Sequence, residues 1–352
     1  MTRILLSSPH AHGKNSTSKV MQQVILACLP GIFALTYFFG LGVLLNILLA
    51  CSGTLIAEAT VLKLRKRSLA PLRDYSALLT GVLLGVCLPA SAPWWIPVSG
   101  ALFAMLAAKH LFGGLGQNPF NPAMAAYAFL LISFPVPMTL WPMAATADQL
   151  SWFNSLQGMD TQTGATALDA WRNKGPQMAS EFWRATQSLS PLKPLHPAML
   201  QASTYIAIAW LLGGSYLIIK RIINWQLPLV FLATLLVYSA FLWGIDSSHY
   251  APPWLHLAAG SAVFSAFFIL TDPVSCATSV KGRILFALGV GLLVISIRTW
   301  GSYPDGVAFS VLLMNFAAPA LDYFTRPRVY GHAKAKSGMG SAGKKDGSKN
   351  ND

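Results

Sequence analysis

The chain has 352 residues, 54% of them hydrophobic and only 11% charged, with 25 Lys and Arg against 12 Asp and Glu. A soluble domain carries about 25% charged residues, so this composition cannot cover a water-facing surface and points to lipid as the solvent. The excess of 13 positive charges excludes little on its own, but no basic stripe interleaved with aromatics lies in a polar domain, so no nucleic-acid partner is expected.

Residues 1–20 are polar and basic and run into a long apolar stretch without a small-residue cleavage pattern, so they read as a cytoplasmic N-terminal segment before a retained anchor. A membrane-crossing helix needs about 20 mostly apolar residues. Ten stretches approach this, near 21–39, 43–62, 76–90, 94–109, 122–137, 200–219, 227–244, 254–271, 284–300 and 306–323. The third is short and ends in Leu88-Pro89-Ala90-Ser91, which predicts a broken or protein-buried helix rather than a lipid-exposed one. The expected fold is all-α: a polytopic membrane protein of about ten transmembrane helices. Its cysteines, Cys28, Cys51, Cys87 and Cys276, make no metal-ligand spacing, and no metal site is expected.

Loop charge orients these spans. With the N-terminus inside, the inner segments hold 20 of the 25 Lys and Arg, counting Lys109 and the seven of the tail. Only Arg172, Lys174, Arg184, Lys193 and the helix-end Arg298 fall outside. That asymmetry is the positive-inside pattern. Both termini are therefore expected in the cytoplasm, and the polar insert 138–199 outside. Trp94, Trp95, Trp141, Trp254 and Trp300 fall near outer span ends, as an interfacial belt does.

Residues 21–137 and 200–323 each contain five spans, and an odd number makes the second copy enter from the opposite side. Gly/Pro breaks recur at matching places. Leu88–Ser91 and Thr271-Asp272-Pro273-Val274-Ser275 follow the third spans; Gly113–Ala123 and Gly301–Ala308 precede the last ones. Paired breaks in inverted repeats point to a ligand site, because broken helices expose backbone polar groups. Of the ionisable residues in or near spans, Glu58 is the costly one; Asp272, Asp305 and Asp322 sit at span ends, where capping accounts for them as well as function does.

The insert carries Asp160-Thr161-Gln162-Thr163-Gly164-Ala165-Thr166. Thr166 offers an alcohol nucleophile, weak at its own pKa, and Gly164 and Ala165 allow a close approach to the backbone. The string resembles the recognition sequence of the periplasmic flavin transferase, Asp-x-x-Ser/Thr-Gly-Ala-Thr, which esterifies the FMN phosphate to the last hydroxyl. The resemblance makes Thr166 the attachment site and Asp160, Thr163, Gly164 and Ala165 recognition residues. No catalytic residue is assigned to this chain.

Further stretches extend the likeness over nearly the whole chain: Ser7-Ser8-Pro9, Ser76-Ala77-Leu78-Leu79-Thr80-Gly81, Gly113–Ala123, Phe268–Val274, Tyr303–Phe309 and Thr325–Gly331. The chain is similar to RnfD, the D subunits of the Rnf (Rsx) ion-translocating electron-transport complexes, which are themselves related to the B subunits (NqrB) of the sodium-pumping NADH:quinone oxidoreductases. The family implies a bacterial inner-membrane flavoprotein subunit working with the A, B, C, E and G subunits of the complex, and above all with the periplasmic FMN-carrying one, RnfG. It implies coupling of NADH/ferredoxin electron transfer to Na⁺ or H⁺ movement, covalent FMN, and a second, non-covalent flavin, riboflavin, for which the 113–123 and 271–275 breaks are candidates. Ala167 departs from the pattern, since relatives often carry proline there. Gly113-Gly114-Leu115-Gly116 follows a span rather than a strand, so NADH oxidation falls to another subunit and the enzyme is the complex. The alternative from architecture alone is an inverted-repeat channel or secondary transporter. The tail 324–352 is basic and Gly/Ser/Lys-rich, a composition of disorder.

Overall fold

A computed structural model describes residues 16–144, 164–175, 178–187, 195, 197–303 and 305–325. The first part of the transferase-like motif, Asp160 to Thr163, lies outside them, as does the expected tail apart from Phe324 and Thr325, which are helical. The described residues are helical almost throughout. The first half contains α1 (Thr17–Phe39), α2 (Gly42–Leu64), α3 (Ser76–Cys87), α4 (Trp95–Phe103, continued by a π-helical segment Ala104–His110), α5 (Pro122–Ser133) and the short α6 (Pro135–Thr139). The insert contributes α7 (Ala167–Arg172) and α8 (Ala179–Gln187). The second half contains α9 (Pro197–Ile219), α10 (Gln226–Ile245), α11 (Pro253–Ala258), α12 (Ala262–Phe264, continued by a π segment Ser265–Ile269), α13 (Val280–Trp300) and α14 (Val307–Thr325).

Six of these helices, α1, α2, α9, α10, α13 and α14, are long and apolar enough to cross a membrane. The remaining apolar helices are shorter: α3 and α5 have 12 residues each, or about 18 Å at 1.5 Å per residue, against a hydrocarbon core of about 30 Å. Such short elements must be sheathed by protein. Accordingly nearly all of α3 is buried, and so are Leu88 and Ala90 beyond its end. The third span is thus the interior half-helix that its length predicts. Burial is reversed relative to a soluble protein. Phe33, Leu48, Leu212, Val237, Phe241 and Phe316 face outward. Asn46, Thr54, Ser239, Ser265, Ser310 and Asn315 are buried, together with alanines. The chain is a multi-pass membrane protein.

The two halves pack alike. In each, the second long helix (α2 or α10) is the hub that the third and fourth segments lie against, while α1 meets α9 and α5 meets α14 across the midline. These two cross-contacts join first helix to first and fifth segment to fifth, as two copies related by a pseudo-twofold would. One break was not legible: the eighth span, expected continuous over 254–271, is divided at Ala259–Ser261, where Gly260 takes a positive φ of 73°.

Small residues allow the close approaches. On α3, Gly81 and Gly85 are four residues apart, and a Cβ on either would stand 2.6 Å from a backbone Cα of α2, that of Cys51 or Ile47. This is the small-xxx-small contact by which membrane helices pack. Gly85→Val should therefore lower stability by about 1–3 kcal/mol through overpacking, read as a lower unfolding temperature in detergent, while Val237→Ala on the lipid-facing side of α10 should leave it nearly unchanged.

Candidate cofactor cavity

A cavity of about 580 Å³ opens at the insert end of the bundle, between the halves. It lies within the ~300–1,000 Å³ range of small-molecule and cofactor sites. Its walls include Phe39, Tyr127, Trp141, Phe264 and Tyr303, with Ser203, Ser261, Asp305 and Arg172 as polar groups. Thr166 is on this wall.

Local structure fixes Thr166. It is the N-cap of α7, with extended backbone (φ −64°, ψ 158°), and its hydroxyl accepts from the Asp169 N–H at 3.3 Å. A Thr followed three residues later by an acidic side chain is a helix-start pattern. Ala167 therefore occupies the first helical position, where proline is favoured but not required, so the departure from the family pattern leaves the cap intact. On the other side, the Gly164 N–H donates to the Trp141 carbonyl at 3.0 Å, which ties the motif to the segment leaving α5. Ala165 is exposed and Thr166 half-buried. Beneath them α7 has its own apolar support: Trp171 stands edge-on to Phe182 at 5.2 Å and stacks with Trp183 at 5.7 Å, and Trp183 meets Trp254.

Polar links bind this unit to the second half: Lys174 Nζ donates to the Ser248 carbonyl at 3.1 Å. Arg172 Nη1 donates to the Tyr303 carbonyl at 3.0 Å. Below it, Asp305 joins three elements. Its Oδ2 accepts from the Ser261 N–H (2.9 Å) and hydroxyl (2.7 Å), and its Oδ1 from Arg298 Nη2 at 3.1 Å. Arg298 Nη1 in turn donates to the His256 carbonyl at 2.8 Å. Asp305 thus holds together the α11–α12 break, the end of α13 and the start of α14. Burial alone would raise its carboxyl; Arg298 and the Ser261 bonds outweigh that and hold it below the usual carboxylate range. Asp272 and Asp322 have the capping roles open to span-end carboxylates: Asp272 accepts from Val274 N–H and the Ser275 hydroxyl, and Asp322 from the Thr278 and Ser279 N–H groups.

The breaks singled out in the sequence, Gly113–Ala123 and Thr271–Ser275, come together away from this cavity. Asn121 caps α5, accepting from the Ala123 and Met124 N–H groups. With its amide oriented to suit its neighbours, Asn315 of α14 accepts from the Asn121 N–H and donates to the Ser275 carbonyl, both at 3.1 Å. The side-chain amide oxygen Oδ1 of buried Asn118 has no partner among the described residues. Sequence reasoning missed two further groups. Lys109, counted as a loop charge, is buried against Glu58, with Nζ 2.6 Å from Oε1. Arg298, counted as a helix-end charge, is buried against Asp305. A basic residue at the end of an apolar run reads equally as interfacial anchor or buried partner, and only the fold separates these.

Fold and cavity define a polytopic membrane protein of paired half-bundles with a cofactor-sized site at one end. The chain belongs to the NQR2, RnfD, RnfE family, matching it over residues 4–331. Among curated relatives, it is 48% identical to the D subunit of the ion-translocating oxidoreductase complex of Ectopseudomonas mendocina, over 95% of this chain and 97% of the relative. The relative of the same name from Alcanivorax borkumensis is 47% identical over 96% and 99%, and that from Salmonella paratyphi A 46% over 94% and 99%.

Removing the Asp305 charge leaves a buried guanidinium short of its partner, at a cost of about 3–5 kcal/mol. Asp305→Asn should therefore lower the unfolding temperature at neutral pH. Because the folded carboxyl titrates below its unfolded value of about 3.9, its contribution is complete above that value and is lost as pH falls through the folded pKa. The gap between wild type and Asp305→Asn should accordingly close in strong acid, as a pH series of thermal melts would record.

Proposed function

We propose that the chain is the membrane flavoprotein subunit of an Rnf-type ion-translocating electron-transport complex, carrying FMN esterified through its phosphate to Thr166. The relatives are named as D subunits of an ion-translocating oxidoreductase complex, which makes this chain one component of an enzyme assembly. The observation that carries the flavin reading is the Thr166 hydroxyl on the wall of the 580 Å³ cavity.

The residues present suit the group. A flavin ring is flat and largely apolar, and Phe39, Trp141, Phe264 and Tyr303 offer faces and edges for it. Arg172, on the same wall, offers a guanidinium for the phosphate diester. When bound, FMN supplies one-electron chemistry, and the protein's part is to position and insulate it. Capping α7 holds the Thr166 oxygen at a set place on the rim. The Trp171, Phe182, Trp183 cluster keeps water from beneath it.

In this reading both termini are cytoplasmic and the insert periplasmic, in the bacterial inner membrane. There a flavin transferase modifies Thr166, with Asp160, Thr163, Gly164 and Ala165 as its recognition residues. Electrons then exchange with the FMN of RnfG, while NADH is oxidised elsewhere among the A, B, C, E and G subunits. The transported ion is Na⁺ or H⁺. A second, non-covalent flavin, riboflavin, has a candidate place by the junction of Asn121, Asn315 and Ser275; the unpartnered Oδ1 of Asn118, in the loop leading to Asn121, supports a polar ligand there.

A secondary transporter would use a similar bundle. Denaturing electrophoresis followed by in-gel fluorescence separates the two. Chain expressed with an active flavin transferase should give a fluorescent band, retained in Thr166→Ser and absent in Thr166→Ala. A dark wild-type band would sink the flavin reading and favour the transporter.

A further inference from the structure

The repeat carries a second charge cluster at the end opposite the insert, which the flavin relay leaves unused. Glu58 lies on α2, and Lys109 and His110 end the π segment of α4. Lys109 Nζ stands 2.6 Å from Glu58 Oε1, with the two side chains 2% and 1% exposed. Nζ also donates to the Ser76 hydroxyl at 2.8 Å, and that hydroxyl donates to Asp74 Oδ1 at 2.6 Å. Asp74 is half-buried in a connection whose preceding residues, 63–71, are exposed. A continuous hydrogen-bonded chain thus runs from a buried ammonium to a carboxylate at the surface. Ala57 and Ala77, the sequence neighbours of Glu58 and Ser76, are buried with Met105 in a small apolar cluster of their own.

The cluster has spare capacity. Glu58 Oε2 and His110 Nε2 are buried and without a hydrogen-bond partner among the described residues, and His110 Nε2 is 3.5 Å from Glu58 Oε1. A pair kept only for stability would be expected to satisfy its atoms, because a half-satisfied buried network is worse than an apolar one. The π segment also bears on this. It turns the consecutive residues Ala108, Lys109 and His110 all inward, and π-bulges recur at functional sites.

Comparison with the insert-end cluster sharpens the point. Ser76 opens α3 as Ser261 opens α12; Lys109 ends α4 as Arg298 nears the end of α13; each basic group meets a carboxylate and lies by a histidine, His110 or His256. The difference is chemical. Arg298 cannot give up its proton, whereas a buried lysine can.

We propose that Lys109, with Glu58 and His110, is a proton-exchange site that opens through Ser76 and Asp74 to the end of the bundle opposite the insert. In the loaded state Lys109 is an ammonium and Glu58 a carboxylate. On release, Ser76 Oγ takes one proton from Nζ and gives its own to Asp74, which passes it to water. Ser76 is regenerated, Lys109 is left as the amine, and the site loses one positive charge. The reverse sequence reloads it. A buried carboxylate left beside a neutral amine is costly, so release is tied to charge arriving nearby. The neighbouring charges are Arg65, whose Nη2 donates to the His110 carbonyl at 2.7 Å, Arg67, and the acceptor Asp74. A metal cation is the poorer occupant, because the described residues hold no group of three or more His, Cys, Asp or Glu that could ligate one.

The test uses the whole complex reconstituted in vesicles, with electron transfer and ion movement measured together. Lys109→Arg keeps the charge but not the exchangeable proton. Ion movement per electron should fall at least tenfold, with assembly and the flavin band retained. Glu58→Gln/Lys109→Met, which removes both charges, should behave likewise. Ion movement per electron equal to wild type in either variant overturns the proposal. Should a variant not assemble, a pH titration of the wild-type complex by infrared difference spectroscopy decides the matter. A titrating lysine or carboxyl band assigned to the site by specific isotope labelling supports it, and no such band between about pH 5 and 10 overturns it. Failure of the flavin reading is recognisable separately, as a wild-type complex without the covalent flavin band.

Discussion

Lipid offers no hydrogen bonds, so every backbone group freed by a broken helix must be met by the protein itself. That constraint shapes this bundle more than any single contact. Its interior is made of half-helices: α3 stops at Cys87, the eighth crossing divides between α11 and α12, and α5 begins from a glycine-rich loop. Each interruption is answered by a polar side chain. Asn46 donates to the Pro89 carbonyl beyond α3; Asn121 caps α5; Asp305 meets the Ser261 N–H at the start of α12. The long helices α1, α2, α9, α10, α13 and α14 exist in large part to keep these polar junctions out of lipid, which is why they present Leu, Phe and Val outward and Asn, Ser, Thr and Gly inward.

The same junctions make the site. An uninterrupted ten-helix bundle would fill its centre with side chains. Breaking the eighth crossing at Gly260 instead lets Leu168 of α7 and the Arg298–Asp305 pair approach one another; a Cβ at Gly260 would stand 2.8 Å from Leu168 Cδ1 and from Arg298 Nη2. Helix α7 is thereby seated against the membrane bundle rather than left on a loop, and Thr166 opens on a cavity whose walls come from both halves. The positioning of one hydroxyl depends on a backbone conformation almost a hundred residues away in sequence.

Much of this was legible beforehand because composition and spacing report it directly. Charge-poor apolar runs marked the crossings, and a shortage of residues in 76–90 marked α3 as interior. The Thr-Gly-Ala-Thr string singled out Thr166, and the cap it forms follows from Thr166 and Asp169 three residues later. What stayed hidden is what only packing decides. The break at Ala259–Ser261 lies inside an unbroken apolar run. Gly260 is one glycine among 28 and reveals its role only through its φ and its neighbours. The burial of Lys109 and Arg298 was hidden too, because a cation at the end of a span satisfies the charge-asymmetry rule whether it snorkels outward or turns inward.

Those two cations show how a duplicated scaffold acquires different ends. The two ends share part of one construction: a serine opens the short inner helix of the third segment and a basic residue stands near the end of the fourth, while the carboxylate and histidine come from different elements, Glu58 of α2 and His110 of α4 at one end, Asp305 before α14 and His256 of α11 at the other. The arginine end has four hydrogen bonds on Asp305 from Ser261 and Arg298, with Arg298 also bound to the His256 carbonyl. Its guanidinium protons cannot leave, so it serves as a fixed joint under the cavity. Among the described residues the arginine end leaves the buried His256 Nδ1 without a partner, whereas the lysine end leaves both a carboxylate oxygen, Glu58 Oε2, and an imidazole nitrogen, His110 Nε2, and has a hydroxyl leading outward. The requirement that buried charges be paired is met at both ends. Only at the lysine end is it met by groups that can exchange the proton that pairs them.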